Sequence, residues 1–92
     1  MKRKIWLVTR HCFFVTNGID YACAFDPSST LVFTDEHRAF MVLNEMVDDE
    51  CELRSGYKIN NYLISFGFVS LESPDCQTRV LFKITENILI DD

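Results

Sequence analysis

Glycine and proline are scarce in this chain, three and two in 92 residues. That leaves little room for long irregular loops and favours well-formed elements joined by tight turns. Long apolar runs are missing as well. No stretch approaches the roughly 20 apolar residues of a membrane-spanning helix. After Lys2-Arg3-Lys4 the apolar run reaches only from Ile5 to Val8 before Thr9-Arg10-His11, too short for the core of a secretory signal. A cytoplasmic location is expected, and there the four cysteines, Cys12, Cys23, Cys51 and Cys76, would stay reduced.

Signatures of chemistry are also lacking. The chain has no C-x-x-C, no Gly-rich phosphate loop, no G-x-S-x-G and no paired-histidine motif, so nothing marks a catalytic centre. A zinc site from His11, Cys12 and Cys23 with His37 or Cys76, or a Cys12 or Cys23 nucleophile beside His11 or His37, rests on residue types alone. Free cysteine is commonly a small buried apolar side chain. No enzyme activity, cofactor or metal is expected; a zinc or thiol enzyme stands as the remote alternative.

Positive charge is in short supply: nine Lys and Arg against fourteen Asp and Glu give a net charge of −5. Duplex binding needs a basic stripe to neutralise phosphates, and an anionic membrane surface needs a polybasic segment. A stacking platform of Trp6, Phe13, Phe14 and Tyr21 near Lys2, Arg3, Lys4 and Arg10 has the aromatics for single-stranded nucleic acid, but the net charge opposes it. Neither direct nucleic-acid binding nor membrane binding is expected.

The chain is rich in core formers. Hydrophobic residues make up 48% and charged residues 25%, with eight Phe, three Tyr and one Trp, a globular composition. One domain spanning residues 1–92 is expected, burying roughly 60–65% of its unfolded surface.

Lys4–Thr16 reads as a strand, Asn17-Gly18 as a two-residue type I′ turn, and Ile19–Phe25 as the returning strand. This register pairs Thr16 with Ile19, Phe14 with Tyr21 and Cys12 with Cys23. Asp26-Pro27-Ser28-Ser29 is a turn cluster, and Leu31–Phe33 a short third strand. Thr34 is placed as the N-cap of a helix over about residues 35–50, with Asp35 and Glu36 in its first turn. Ala39, Phe40, Leu43, Met46 and Val47 form its apolar stripe. Arg54-Ser55-Gly56 closes it, and 58–61 is read as connecting chain. Tyr62–Leu71 and Cys76–Thr85 make a second hairpin around Ser73-Pro74-Asp75, with Leu71 expected opposite Thr78, Gly67 opposite Phe82, Phe66 opposite Lys83 and Phe68 opposite Leu81. Ile88-Leu89-Ile90 is read as a further short strand or apolar plug. The expected fold is α+β, an antiparallel sheet of four to five strands in the order β-β-β-α-β-β with one amphipathic helix on one face.

Two surfaces stand out. The second hairpin is apolar on both faces, and one helix covers only one of them. Either the sheet folds over itself, or the face of Phe66, Phe68 and Leu81 is a homodimer or partner surface. The second surface is acidic: Glu45, Asp48, Asp49 and Glu52 crowd one side of the helix and its exit. Like charges one turn apart cost a few tenths of a kcal/mol per pair, and acids in the last turn oppose the helix dipole. These residues serve solubility, or they dock onto the basic surface of a protein partner.

The strings Lys4–Thr9 (K-I-W-L-V-T) and Leu31–Phe40 (L-V-F-T-D-E-H-R-A-F) resemble small bacteriophage and mobile-element accessory proteins. These open on a hairpin and run a third strand into an amphipathic helix through V-F-[ST]-x-E-x-x-A-like residues. Here His37 and Arg38 stand between Glu36 and Ala39. The resemblance covers residues 4–47 and implies a non-enzymatic binder in the host cytoplasm, an inhibitor of a bacterial defence or nucleic-acid-processing complex of the anti-CRISPR type. An antitoxin or immunity-type protein neutralising a cognate toxin is the alternative.

Overall fold

The computed structural model describes residues 2–60 and 67–90. In chain order the elements are β1 (Lys2–Thr16), β2 (Ile19–Ala22), β3 (Ser29–Phe33), α1 (Glu36–Leu53), β4 (Lys58–Asn60), β5 (Phe68–Glu72) and β6 (Thr78–Ile90). All pairings are antiparallel. The sheet order is β2-β1-β6-β5-β4, with β3 also paired to β1. The fold is α+β as expected, with six strands among the described residues.

The first hairpin follows its turn. Asn17 and Gly18 both take positive φ, 54° and 75°, as a type I′ turn requires. Phe14 then pairs with Tyr21 and Thr16 with Ile19, and the Cys23 N–H donates to the Cys12 carbonyl at 3.1 Å.

β6 pairs with β1 from Lys2 to Phe14, so β2 and β3 share the other edge of β1. Between Phe13↔Ala22 and Arg10↔Ser29, β1 advances three residues and the edge advances seven. Four extra residues therefore loop out between β2 and β3. Phe25 and Asp26 lie on this bulge, and the Asp26 N–H donates to the Cys23 carbonyl at 3.3 Å.

The helix begins one residue later than expected. Asp35, not Thr34, is the N-cap; its side chain accepts from the His37 N–H at 3.0 Å. Asp outranks Thr at this position. The helix runs to Leu53, and Arg54 closes it by donating its N–H to the Glu50 carbonyl at 2.9 Å. Ala39, Leu43 and Val47 are buried against Val8, Cys12, Val69, Leu71, Val80 and Phe82, with Phe40 and Met46 packed at the margin. This is the expected stripe on one face of the sheet.

The second half departs from expectation in three places. Residues 58–60 are a strand, β4, paired with β5. Ile88–Ile90 continues β6 instead of forming an element of its own, because β1 offers an unbroken partner back to Lys2. The β5–β6 register is displaced by two residues: Leu71 pairs with Val80, Val69 with Phe82 and Phe68 with Lys83. The loop is longer than the short turn assumed. Ser73 Oγ accepts from the Gln77 and Thr78 N–H groups at 3.1 and 3.0 Å, and Cys76 takes a φ of 59°. Displacement by two keeps every side chain on its face, so the buried set is unaffected. Gly67 lies beside Ile84, not Phe82, and its carbonyl accepts the Ile84 N–H at 2.7 Å.

Candidate functional site

Arg10 sits at an inward position of β1, between Val8 and Cys12, both buried. A guanidinium there must be paired, since burying an unpaired charge is prohibitive. Two carboxylates meet it. Arg10 Nη1 and Nη2 donate to Asp26 Oδ1 and Oδ2 at 2.7 and 2.9 Å. Arg10 Nη2 and Nε donate to Glu50 Oε1 and Oε2 at 2.8 and 3.3 Å. Arg54 closes the cluster: its Nε donates to Glu50 Oε1 at 2.6 Å, its Nη1 to the Tyr57 hydroxyl at 3.2 Å, and its Nη2 lies 3.6 Å from Asp26 Oδ2. The same guanidinium stacks over the Tyr57 ring.

The electrostatics follow from these contacts. Hydrogen bonds from Arg10 hold the Asp26 carboxyl below its ordinary range. Burial pushes the Glu50 carboxyl up, but the hydrogen bonds from Arg10 and Arg54 outweigh it and the net shift is downward. Arg10 is raised chiefly by its bonds to Asp26 and Glu50, and Arg54 by its bond to Glu50. Burial raises the neighbouring Cys12 thiol, the opposite of what an activated nucleophile needs. Two cations and two anions make the cluster neutral, and it ties the bulge, the centre of β1 and the helix exit together. Its chemistry is positional.

What remains charged lies outside. Glu45, Asp48, Asp49 and Glu52 are all exposed. At about 100° per residue they fall within an arc of about 100°, on the side of the helix away from Leu43, Val47 and Glu50. Among the described residues no ion pair involves any of the four. The first basic group beyond the helix, Arg54, is committed to Glu50 and Asp26. Among the described residues the two most exposed large hydrophobics, Phe25 at 96% and Leu53 at 82%, are chain neighbours of Asp26 and Arg54. Both therefore flank this cluster. Neither Asp26 nor Glu50 stands out in the sequence as a site residue, and Arg10 stands out only as a charge near the aromatics of the first hairpin. The available signal was their phase: Arg10 shares the inward alternation of Val8 and Cys12, and Glu50 lies on the Leu43–Val47 stripe.

The second expected surface is only partly described. Phe66 lies outside the described residues. Phe68 and Leu81 are half-buried on the sheet face opposite the helix, as diagonal neighbours and not as a direct pair. The shifted register interleaves charge among them: Lys83 pairs with Phe68, and Arg79 stacks over Phe13 and pairs with Asp20.

Between the Asn17-Gly18 turn and the 75–78 loop lies an open cleft of about 630 Å³. Its one carboxylate, Asp75, accepts from Ser73 Oγ at 2.6 Å and the Gln77 N–H at 3.1 Å. Among the described residues no three His, Cys, Asp or Glu side chains converge as a metal site, and no helix is long and apolar enough to cross a membrane. Comparison with known proteins finds no matching family model, no matching curated protein and no matching solved structure.

Proposed function

We propose that the protein is a non-enzymatic binding module that docks the acidic face of α1 onto a basic surface of a larger protein. The observation that carries this reading is the exposure of Glu45, Asp48, Asp49 and Glu52 on a helix end that Arg10 clamps from inside. A neutral clamp leaves the outer acids uncompensated and holds them in fixed positions. A rigid charged patch steers association and selects a complementary surface. With the resemblance of residues 4–47 to mobile-element accessory proteins, the role proposed is inhibition of a bacterial defence or nucleic-acid-processing complex by occupying a basic surface in the host cytoplasm.

The test is affinity capture from bacterial lysate with wild type and with the Asp48→Lys, Asp49→Lys double variant, followed by mass spectrometry. The expected result is a protein retained by wild type, lost by the variant and released as salt rises, because exposed charges are screened over about 8 Å at physiological ionic strength. Equal retention of the same protein by both forms across salt would overturn the acidic face as the docking site.

A further inference from the structure

The protein is elongated, 48 × 22 × 21 Å, and among the described residues β1 and β6 outrun the other strands. β3 pairs with β1 only from Trp6 onward, and β5 pairs with β6 only as far as Lys83. Beyond those points Lys2–Ile5 and Asn87–Ile90 pair with each other alone among the described residues. The β6 side of this stretch is apolar: Ile88 and Ile90 are 61% and 65% exposed. Lys2 pairs directly with Ile90 and Lys4 with Ile88, so one face of the ribbon alternates isoleucine with exposed lysine.

The helix exit, packed beside Arg10 at the centre of β1, carries the opposite charge. Phe25 and Leu53, exposed beside the Asp26–Arg54 contact, share that region with Asp49 and Glu52, and Asp49 precedes Leu53 by one helical turn. The ribbon is thus an apolar patch beside Lys2, Lys4 and Glu86, and the helix exit an apolar patch among carboxylates. Within a single chain they cannot meet. Arg10, which anchors the acidic patch, is eight residues along an extended strand from Lys2, about 26 Å at 3.3 Å per residue.

We propose that the chain associates head to tail with a second copy of itself, Ile88 and Ile90 with Lys2 and Lys4 of one protomer docking on Phe25 and Leu53 with Asp49 and Glu52 of its partner. The self-contact buries these exposed apolar side chains and sets lysines against carboxylates. Lys4 already pairs with Glu86 at 3.3 Å, but both side chains are more than half exposed. Such a pair is weak and exchanges readily for a better-desolvated one. A contact between two different patches is heterologous, so it propagates into a ring or an open chain of protomers.

The test is light scattering on the full chain at low salt over a concentration series, repeated in 0.5 M salt. The expected mass exceeds the 10.7 kDa of one chain, rises with concentration and falls toward one chain at high salt. Lys2→Glu with Lys4→Glu, and separately Asp49→Lys with Glu52→Lys, should each give a single chain alone. Mixed together they should associate again, since each then offers the charge the other needs. Phe25→Asp should give a single chain with an unchanged circular dichroism spectrum and melting temperature. A mass of 10.7 kDa at every concentration, a mixture that stays dissociated, or association indifferent to salt and to Phe25→Asp would overturn the proposal. The Lys2, Lys4 variant keeps the acidic helix intact, so its partner capture separates this inference from the proposed function.

Discussion

Arg10 and Asp26 form a two-pronged ion pair, 2.7 and 2.9 Å between matched nitrogen and oxygen atoms, across the four-residue bulge that separates β2 from β3. Planar, parallel hydrogen bonds of this kind fix orientation as well as proximity. The pair therefore sets where Phe25 stands, and through Glu50 it also sets where the acidic helix ends.

Breaking the clamp should be costly. Glu50→Leu leaves Arg10 and Arg54 short of a counter-charge at a site where the glutamate side chain is 11% exposed. The expected loss is about 3 kcal/mol, the lower end for a broken buried pair, read from denaturant melts. Arg10→Met combined with Glu50→Leu should recover part of that loss, because removing both charges removes the unpaired one. A single-variant loss below about 1 kcal/mol would show that the pair is solvated.

Stability should fall with acid. The Asp26 and Glu50 carboxyls are held below their ordinary values of 3.8 and 4.5. The unfolded chain then binds more protons than the folded chain in that region, so stability rises with pH there. The contribution is complete above the ordinary values and is lost as pH drops through the lowered ones. Urea melts from pH 7 to 3 should show the loss beginning below about pH 5, and Arg10→Met should flatten it. An unchanged slope in that variant would contradict the assignment.

Gly67 takes a φ of 86°, and a Cβ built there would lie 3.0 Å from the Ile84 carbonyl oxygen. Both facts oppose a side chain, one through backbone conformation and one through contact with a backbone atom that cannot move cheaply. Gly67→Ala should destabilise by about 1–3 kcal/mol, measurable by thermal melting. Gly18, with a φ of 75° but open space around it, should tolerate Asn far better than Gly67 tolerates Ala.

Glu52 is exposed in the last turn of α1, where the helix dipole disfavours an acid. Glu52→Lys should raise stability by about 0.3–1 kcal/mol at low salt, with the gain shrinking as salt increases. A neutral or destabilising result would mean that Glu52 has a structural partner, and the outward acids would lose their standing as residues kept for something other than the fold.

Local chemistry made much of this fold legible in the residue order. Asn17-Gly18 dictates the first register because a two-residue turn with positive φ at both positions leaves one way to pair Phe14 with Tyr21. The spacing of Ala39, Leu43 and Val47 dictates the buried face of α1 because the helical period is set by backbone hydrogen bonds alone. Only the tertiary structure decided the rest. Ser73 gathers the Gln77 and Thr78 N–H groups, and the second hairpin is shifted by two residues. Ile88–Ile90 became the end of β6 because Lys2–Lys4 of β1, at the far end of the sequence, supplied the edge. Arg10, Asp26 and Glu50 are 16 and 40 residues apart in pairing distance from the arginine. No local rule relates them, and the cluster exists because the bulge, the strand and the helix end were brought to one place, where a buried cation needs both anions.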